Sequence, residues 1–328
     1  MSKGLTSKSI EGCSQLKLAL IEHSFPYYED SPIKYTNIRS LYWEFHLRGG
    51  SGPHGYIPND VVEKMPWGDA WNVNPQAKSI TPKLPEVEQS QSDTIRKTLD
   101  EAREREIFRV LKGWRNELYL ITGNRSQYEK RVTMERAGSA LFGINSYGVH
   151  MTVYVRTEQG MKIWVPRRAK NKSTYGGMLD NTVAGGISNG EQPFECMVRE
   201  AAEEASLPEE LVRSNAKACG TVSYVHIRDE RAQPGAEIGL FQPECQHIYD
   251  MEVGPEVIPK PCDNEVEDFY LWTVEEVQKA LVEGQFKPNC AAVLVDFFIR
   301  HGVLTAENEP DYVEIVSRLH RKLPFPTS

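Results

Sequence analysis

The chain has 328 residues, 40% hydrophobic and 26% charged, the profile of an ordinary soluble globular protein and not of a disordered one. It carries 46 acidic against 38 basic residues, a net charge of −8, which argues against a generic binder of nucleic acid or anionic membrane. No apolar run approaches the roughly 20 residues of a membrane helix, and the short run Leu18–Ile21 behind Glu11 reads as no signal peptide. The six cysteines are scattered without a C-x-x-C pair, which excludes a disulfide scaffold and a zinc cluster. The triplets Asn124-Arg-Ser126 and Asn171-Lys-Ser173 then read as chance matches to a glycosylation signal. These features together predict a soluble, cytoplasmic protein with no nucleic-acid or membrane partner.

The length favours two domains, placed at residues 1–125 and 126–328. Leu16, Leu18, Leu20, Tyr42, Trp43 and Phe45, then Gly55-Tyr56-Ile57-Pro58, suggest a small mixed α/β unit. The stretch 72–92, with Pro75, Pro82 and Pro85 and no apolar period, reads as a surface connection. Ser92 and Asp93 then cap a charged helix running to about Lys112 and ended by Gly113, with Leu99, Phe108 and Leu111 as its sparse apolar contacts.

From Val149 the pattern changes. His150–Val155 and Lys162–Pro166 read as strands around a Thr157-Glu158-Gln159-Gly160 hairpin turn. A helix is expected over Gln192–Ala205, and strands over Val222–Ile227, Ile248–Val253 and Phe269–Trp272. Further helices follow over Val274–Val282, Asn289–His301 and Tyr312–Leu323. Strands in mixed order with a few helices argue for an α/β sandwich over a regular βαβ array.

The chemistry concentrates in Gly185-Gly186-Ile187-Ser188-Asn189-Gly190-Glu191 and, seven residues later, Arg199-Glu200-Ala201-Ala202-Glu203-Glu204. On a helix, Glu200, Glu203 and Glu204 share one face, and three carboxylates in one turn raise each other's pKa unless a cation sits among them. Mg²⁺ suits such an oxygen cluster, with a phosphate supplying further ligands. Phe194, Val198, Ala201 and Ala205 would anchor the opposite face, and Arg199 would pair with a neighbouring carboxylate. A lone E-x-x-E-E reads first as a solvated acidic helix; the glycine loop, the spaced Glu191 and the Arg-Glu pair point further.

That joint pattern resembles the Nudix box, G-x5-E-x7-R-E-U-x-E-E-x-G-U with U bulky and apolar, over residues 185–207. Ala201 stands for a bulky residue and Ser206 for the last glycine, where a left-handed cap would cost about 1 kcal/mol. The resemblance implies a Nudix α/β/α sandwich carrying a smaller mixed α/β N-terminal domain, and an Mg²⁺- or Mn²⁺-dependent diphosphatase. Carried over, it makes Glu200, Glu203 and Glu204 metal ligands, Glu203 and Arg199 part of the catalytic apparatus, and Gly186 a carbonyl ligand. The box does not identify the base; Glu265, at the start of a strand, is preferred to Glu267.

Outside the box, Gly113-Trp114-Arg115, Met134-Glu135-Arg136, Trp164-Val165-Pro166-Arg167-Arg168, Gly177-Met178-Leu179-Asp180-Asn181 and Phe286-Lys287-Pro288-Asn289 stand out. These segments resemble the Nudix proteins related to thiamin pyrophosphokinase in fungi and plants, with Gly176 where that family has a proline. The likeness implies a small-molecule diphosphate substrate: thiamin diphosphate, or oxythiamin and oxothiamin diphosphate, cut to the monophosphate. Arg167, Arg168, Lys170 and Lys172 form a basic cluster suited to its phosphates. Trp164, Tyr175, Tyr224 and Tyr249 are candidates to stack on its rings. His150 and His226 read as satisfied sheet histidines, Cys196 as facing away from the carboxylates, and Cys245 and Cys290 as lacking a local base. Another diphosphate, such as a nucleoside diphosphate sugar, and a non-catalytic ligand-binding Nudix module remain the alternatives. Too few residues follow His301 for a kinase domain, so kinase activity is not expected; oligomeric state is not legible.

Overall fold

The computed structural model describes residues 24–50, 52–83, 90–123, 131–172, 174–232, 234–262 and 264–327. Leu16, Leu18, Leu20, Pro85, Asn124-Arg-Ser126, Ser173 and Asp263 lie outside the described residues.

The N-terminal part runs α1 (Pro32–Arg39), β1 (Tyr42–Phe45), β2 (Gly55–Pro58), α2 (Asn59–Lys64), β3 (Trp71–Asn74) and β4 (Ser79–Pro82). Its four strands form one sheet in the order β2-β1-β4-β3, with β1 and β4 parallel. The stretch expected to be a surface connection is thus half of this sheet. Asn72, Asn74, Ser79 and Thr81 hide the strand signal, but Trp71, Ile80 and Pro82 alternate inward and are buried.

The charged helix, α3 (Gln91–Glu104), is capped two residues before Ser92: the Ser90 hydroxyl accepts the Asp93 N–H at 3.0 Å. It also stops earlier, because Glu106 turns left-handed (φ 51°) and a 3₁₀ turn over Arg109–Gly113 replaces its final turns. Ile95, Leu99 and Ala102 recur at helical spacing and are fully buried. They pack with Phe45, Ile57 and Ile80 against β5 (Leu118–Ile121), β6 (Val132–Glu135) and α4 (Arg136–Phe142). Gly138 of α4 faces Leu99, whose Cδ1 lies 2.5 Å from where a Cβ would stand.

The remaining chain builds a six-stranded sheet from β7 (Ser146–Thr157), β8 (Gly160–Arg168), β9 (Val183–Gly186), β10 (Lys217–Ile227), β11 (Phe241–Glu252) and β12 (Val266–Thr273). Its order is β10-β11-β7-β8-β12, and β9 pairs with the first half of β7. The expected hairpin is present between β7 and β8, with Gly160 supplying the positive φ (118°). Alternation along β7 divides the molecule into layers. Val149, Met151, Val153 and Val155 face α5 (Pro193–Ala205) and α6 (Glu209–Asn215). Tyr154, with Ile163, Val165, Tyr224 and Ile248, faces α7 (Val274–Val282), α8 (Pro288–Arg300) and α9 (Tyr312–Arg318). The result is an α/β/α sandwich with a smaller α/β region ahead of it. Among the described residues no helix is long and apolar enough to cross a membrane.

Candidate active site

A cavity of about 340 Å³ opens between the box strand β9, helix α5 and the even-numbered face of β7, β10 and β11. Its wall on the N-terminal side comes from Arg115, Tyr119 and Arg136, so the first part of the chain completes the site. Six cations line it (Arg115, Arg136, Arg168, Lys172, Arg228 and Lys287) against four carboxylates (Glu200, Glu204, Glu244 and Glu265). In a chain of net charge −8 this local excess of cations suits an anionic ligand.

The three box carboxylates divide between the cavity and the exposed side, with Glu200 and Glu203 still bridged by Arg199 Nη1, 2.9 Å from each. Glu200 and Glu204, one helical turn apart, line the cavity. Glu203 points outward, its side chain 53% exposed and paired to Arg199 at 2.9 Å. Arg199 also holds Glu191 at 2.8 Å and Glu200 at 2.9 Å, so one guanidinium ties the glycine loop to the helix. Desolvation pushes the Glu200 carboxyl above its ordinary range, against the pull of Arg199. Glu204 is raised well above it by burial and then by the Glu200 charge, relieved in part by the Ala184 N–H at 3.0 Å and by the Lys172 charge. A buried Glu204 without an ion-pair partner, beside a Glu200 that shares Arg199 with two other carboxylates, is the chemistry a hard divalent cation satisfies. Gly185 is required beside them: a Cβ there would come within 2.2 Å of Glu200 Cδ. A Cβ on Gly186 would lie 2.1 Å from the Tyr119 hydroxyl, and the Gly186 carbonyl accepts from Cys196 Sγ at 3.4 Å. Ser206 adopts the left-handed cap (φ 53°) expected of the glycine it replaces.

The basic cluster divides. Arg168 lines the cavity, but it pairs with buried Asp180 at 2.5 Å and donates to the Thr174 carbonyl. Lys172 also lines it, in a short contact with Glu265. Arg167 does not reach the cavity: it donates to the Gly177 carbonyl at 2.8 Å and lies over Tyr270. Lys170 is 83% exposed. Alternation along β8 explains the split between Arg167 and Arg168. Glu265 stands at the cavity as expected. Burial alone would raise it, but Lys172 and then Arg115 hold its carboxyl below the ordinary range. It is therefore ionised and able to accept a proton. Glu267, by contrast, lies toward Lys170.

Several expectations are corrected. Trp164 and Tyr249 pack in the core beneath α5, and only Tyr175 and Tyr224 of the four aromatics reach the cavity. Cys196 does not face away from the carboxylates; its thiol is raised by burial and by nearby Glu191 and Glu200. Cys290 does have an acidic neighbour, donating to Asp180 Oδ1 at 2.6 Å. His150, Asp180 and Cys290 place their ligand atoms within 4.8 Å of one another. Asp180, however, already accepts from Arg168, the Asn181 N–H and Cys290, so its charge is met by protein donors. His226, expected to be satisfied, has neither ring nitrogen hydrogen-bonded among the described residues.

Arg136, Lys287, Glu244 and Gln246 were not singled out by spacing, although Arg136 and Lys287 sit in segments already notable in the sequence. Arg136 pairs with Glu117 at 2.8 Å and stacks over Tyr119. Lone residues on separate elements leave no local pattern; only the register of the sheet assembles them.

A NUDIX domain family model matches residues 146–291, and a domain of unknown function (DUF4743) matches 47–146. An uncharacterized Nudix hydrolase, orf19 of Rhodococcus erythropolis, is 40% identical over 153 residues, 44% of this chain and 74% of that protein. The uncharacterized protein YJR142W of Saccharomyces cerevisiae is 44% identical over 221 residues, 66% of this chain and 64% of the relative. Nudix hydrolase 20, chloroplastic, of Arabidopsis thaliana is 35% identical over 216 residues, 65% of this chain and 54% of the relative. The chain thus spans between half and two thirds of the yeast and plant relatives. With the sandwich fold and the box on its strand, loop and helix, the chain belongs to the Nudix hydrolase family.

Proposed function

We propose that this protein is a divalent-metal-dependent diphosphatase that cuts thiamin diphosphate and its oxidised analogues, oxythiamin and oxothiamin diphosphate, to the monophosphate and phosphate. The observation that carries the reading is the pairing of two adjacent acids raised above their ordinary range, Glu200 and the buried Glu204, with a cavity in which cations outnumber carboxylates. Glu200 and Glu204 would hold Mg²⁺ or Mn²⁺, with Glu203 one turn away on the exposed side. Such an ion neutralises the diphosphate and lowers the pKa of bound water. Arg136, Arg168, Lys172 and Lys287 orient the phosphates, and Arg199 keeps the box carboxylates in place. Glu265, ionised and held by Lys172, is the candidate to take a proton from attacking water.

The ring specificity follows from charge. Arg228 lines the same cavity and is itself lowered from its ordinary range by burial. A cationic thiazolium placed among these cations is less favourable than the neutral ring of oxothiamin diphosphate, by about 1–3 kcal/mol, while oxythiamin diphosphate keeps that charge and differs in hydrogen bonding at its pyrimidine. The test is a competition assay with Mg²⁺ or Mn²⁺ over the three thiamin-type diphosphates and a nucleoside diphosphate sugar, following phosphate release. Higher kcat/KM for the oxidised rings supports the reading. Preference for the sugar nucleotide discards thiamin and leaves the Nudix chemistry standing.

A further inference from the structure

The two glycines that end β9 each clear space for a side chain from another element. Gly185 makes room for Glu200 of α5, and Gly186 makes room for the hydroxyl of Tyr119, which comes from β5 in the N-terminal part of the chain. Gly186 pairs with Gly148 of β7, so Tyr119 meets the box over a stretch of sheet that carries no side chain. A Cβ at position 186 would fall 2.1 Å from the Tyr119 hydroxyl oxygen and 3.4 Å from Arg136 Cζ.

Tyr119 is 7% exposed and lines the cavity, and its hydroxyl makes no hydrogen bond among the described residues. The oxygen is open to the cavity and not sealed against the sheet. Burial raises the phenol above its ordinary pKa, so the group keeps a proton to offer. The Arg136 guanidinium lies over the same ring, 5.6 Å from its centroid, and feels the Glu200 charge. A neutral O–H donor and a cation thus stand together beside the box acid, and a phosphate oxygen takes both kinds of partner.

The N-terminal part fixes this placement by gripping the box loop. The Asn189 N–H donates to the Leu118 carbonyl at 2.7 Å, and Ser188 Oγ donates to Glu117 Oε1 at 2.9 Å. The other oxygen of Glu117 accepts from Arg136 Nη1 at 2.8 Å, and the Arg136 N–H donates to the Glu117 carbonyl at 2.8 Å. One residue therefore joins β5, the start of α4 and the glycine loop, which holds donor and cation in a set geometry before any ligand arrives. Glu117, Tyr119 and Arg136 all lie in the part that matches the domain of unknown function.

We infer that Tyr119 is a substrate-binding residue whose hydroxyl donates to an oxygen of the diphosphate beside the box, and that Glu117 is the positioning residue that sets Tyr119 and Arg136 there. The N-terminal part of the chain thereby supplies one wall of the hydrolytic site. The inference rests on the diphosphatase reading for its reaction and is indifferent to the ring the diphosphate carries.

The experiment uses the full-length protein and two probes: oxothiamin diphosphate for kcat and KM, and methylenediphosphonate with Mg²⁺, which resists hydrolysis, for a calorimetric Kd. Tyr119→Phe should raise both KM and Kd by about 10- to 100-fold and hold kcat within about threefold. Its melting temperature and Mg²⁺ activation should match wild type, which a purely structural tyrosine would not allow. Gly186→Ala, whose methyl takes the place of the hydroxyl, should raise KM in the same way, and the double variant should go no further; it serves if Tyr119→Phe does not fold. Glu117→Gln should raise KM, with Tyr119→Phe costing less in that background than in wild type; strictly additive effects overturn the positioning role. An equal Kd in wild type and a folded Tyr119→Phe, or no binding of methylenediphosphonate by wild type, overturns the donor. If oxothiamin diphosphate is not cut while the two proteins still differ in Kd, the substrate reading fails and the donor stands.

Discussion

Two sets of acids are buried to a similar degree in this sandwich, and they are treated in opposite ways. Asp180 and Asp250 are each 6% exposed and Glu204 is 9% exposed. Asp250 accepts from Arg300 and from His301 Nε2 at 2.7 Å, and Asp180 accepts from Arg168, Cys290 and the Asn181 N–H. Desolvation would raise both, yet their cations hold them below the ordinary carboxylate range. Glu204 has one backbone N–H and a second carboxylate as neighbour, and it is raised. Burial alone therefore says nothing about role. What distinguishes the two sets is whether the fold supplies the counter-charge or leaves it to a ligand.

The sharpest break of that comparison is Glu204→Gln. Glutamine preserves shape while removing the charge, so turnover should fall 10²-fold or more. The melting temperature should hold or rise, because the repulsion with Glu200 is gone. The same substitution at Glu200 should also abolish turnover, whereas it frees Arg199 from one partner and has less to gain in stability. Near-normal turnover in both variants at saturating metal would remove this pair as the metal site.

Asp180→Asn is the counterpart. It leaves the Arg168 guanidinium buried without its carboxylate and should cost about 3 kcal/mol, read by urea denaturation. A fall in stability with Asp180→Asn and none with Glu204→Gln is the expected contrast; equal losses would erase it.

The pH dependence divides along the same line. Asp180 and Asp250, depressed in the fold, contribute stability that is present above the ordinary carboxylate pKa and is lost as pH falls through their lower folded values. Glu200 and Glu204, raised in the fold, act oppositely. Their contribution is fully present below the ordinary value and is lost as pH rises through the raised one. Metal binding displaces those protons, so the thermal stabilisation by Mg²⁺ or Mn²⁺ should be larger at pH 8 than at pH 5. A shift independent of pH in this interval would place the ion elsewhere.

How far these regions could be read beforehand differs for physical reasons. The box was legible because its parts lie within 23 consecutive residues, and helical spacing alone relates Glu200 to Glu204. The long apolar strands and α7, whose bounds fall at Val274–Val282 as expected, carry strong periodicity and an Asp/Glu-rich capped start. The small N-terminal strands escaped because Asn, Ser and Thr occupy their outward positions, so only every second residue speaks. Glu203, read as sharing the face of Glu200 and Glu204, does share Arg199 Nη1 with Glu200, but its side chain is half exposed and does not line the cavity. A one-turn cluster looks like a single face, yet the 100° between neighbouring residues is enough to put Glu203 in solvent beside Arg199. The far end of the cavity had no signal, since Tyr224, His226, Glu244 and Gln246 meet only through strand pairing.

Lys287 tests the ligand side of the comparison. It lines the cavity on the segment before α8, and its side chain makes no ion pair or hydrogen bond among the described residues. Arg168 and Lys172, by contrast, are committed to Asp180 and Glu265. Lys287→Ala should therefore raise KM about tenfold with little change in kcat or stability, an effect that high salt partly reproduces. Arg168→Ala should raise KM and also destabilise, because it strands Asp180. An unchanged KM in Lys287→Ala would return that lysine to the surface.

The smallest effect concerns the one box position whose departure touches backbone geometry. Ser206 sits at φ 53°, ψ 29°, the left-handed cap that ends α5 directly after the carboxylates. A side chain there costs about 1 kcal/mol relative to glycine. Part of that is recovered, because Ser206 Oγ donates to the Lys260 carbonyl at 3.0 Å, an exposed bond contributing about 0.5 kcal/mol. Ser206→Gly removes both terms and adds chain entropy to the unfolded state, which opposes the gain by a similar fraction. The net change should lie within about 0.5 kcal/mol of zero, a shift of no more than ~2 °C in melting temperature. Turnover should not change at all, since Leu207 is buried and its N–H bonds the Ala201 carbonyl, holding the end of the helix in place. A loss of kcat in this variant would mean that the Lys260 contact, and not the glycine-like backbone, positions Glu203 and Glu204.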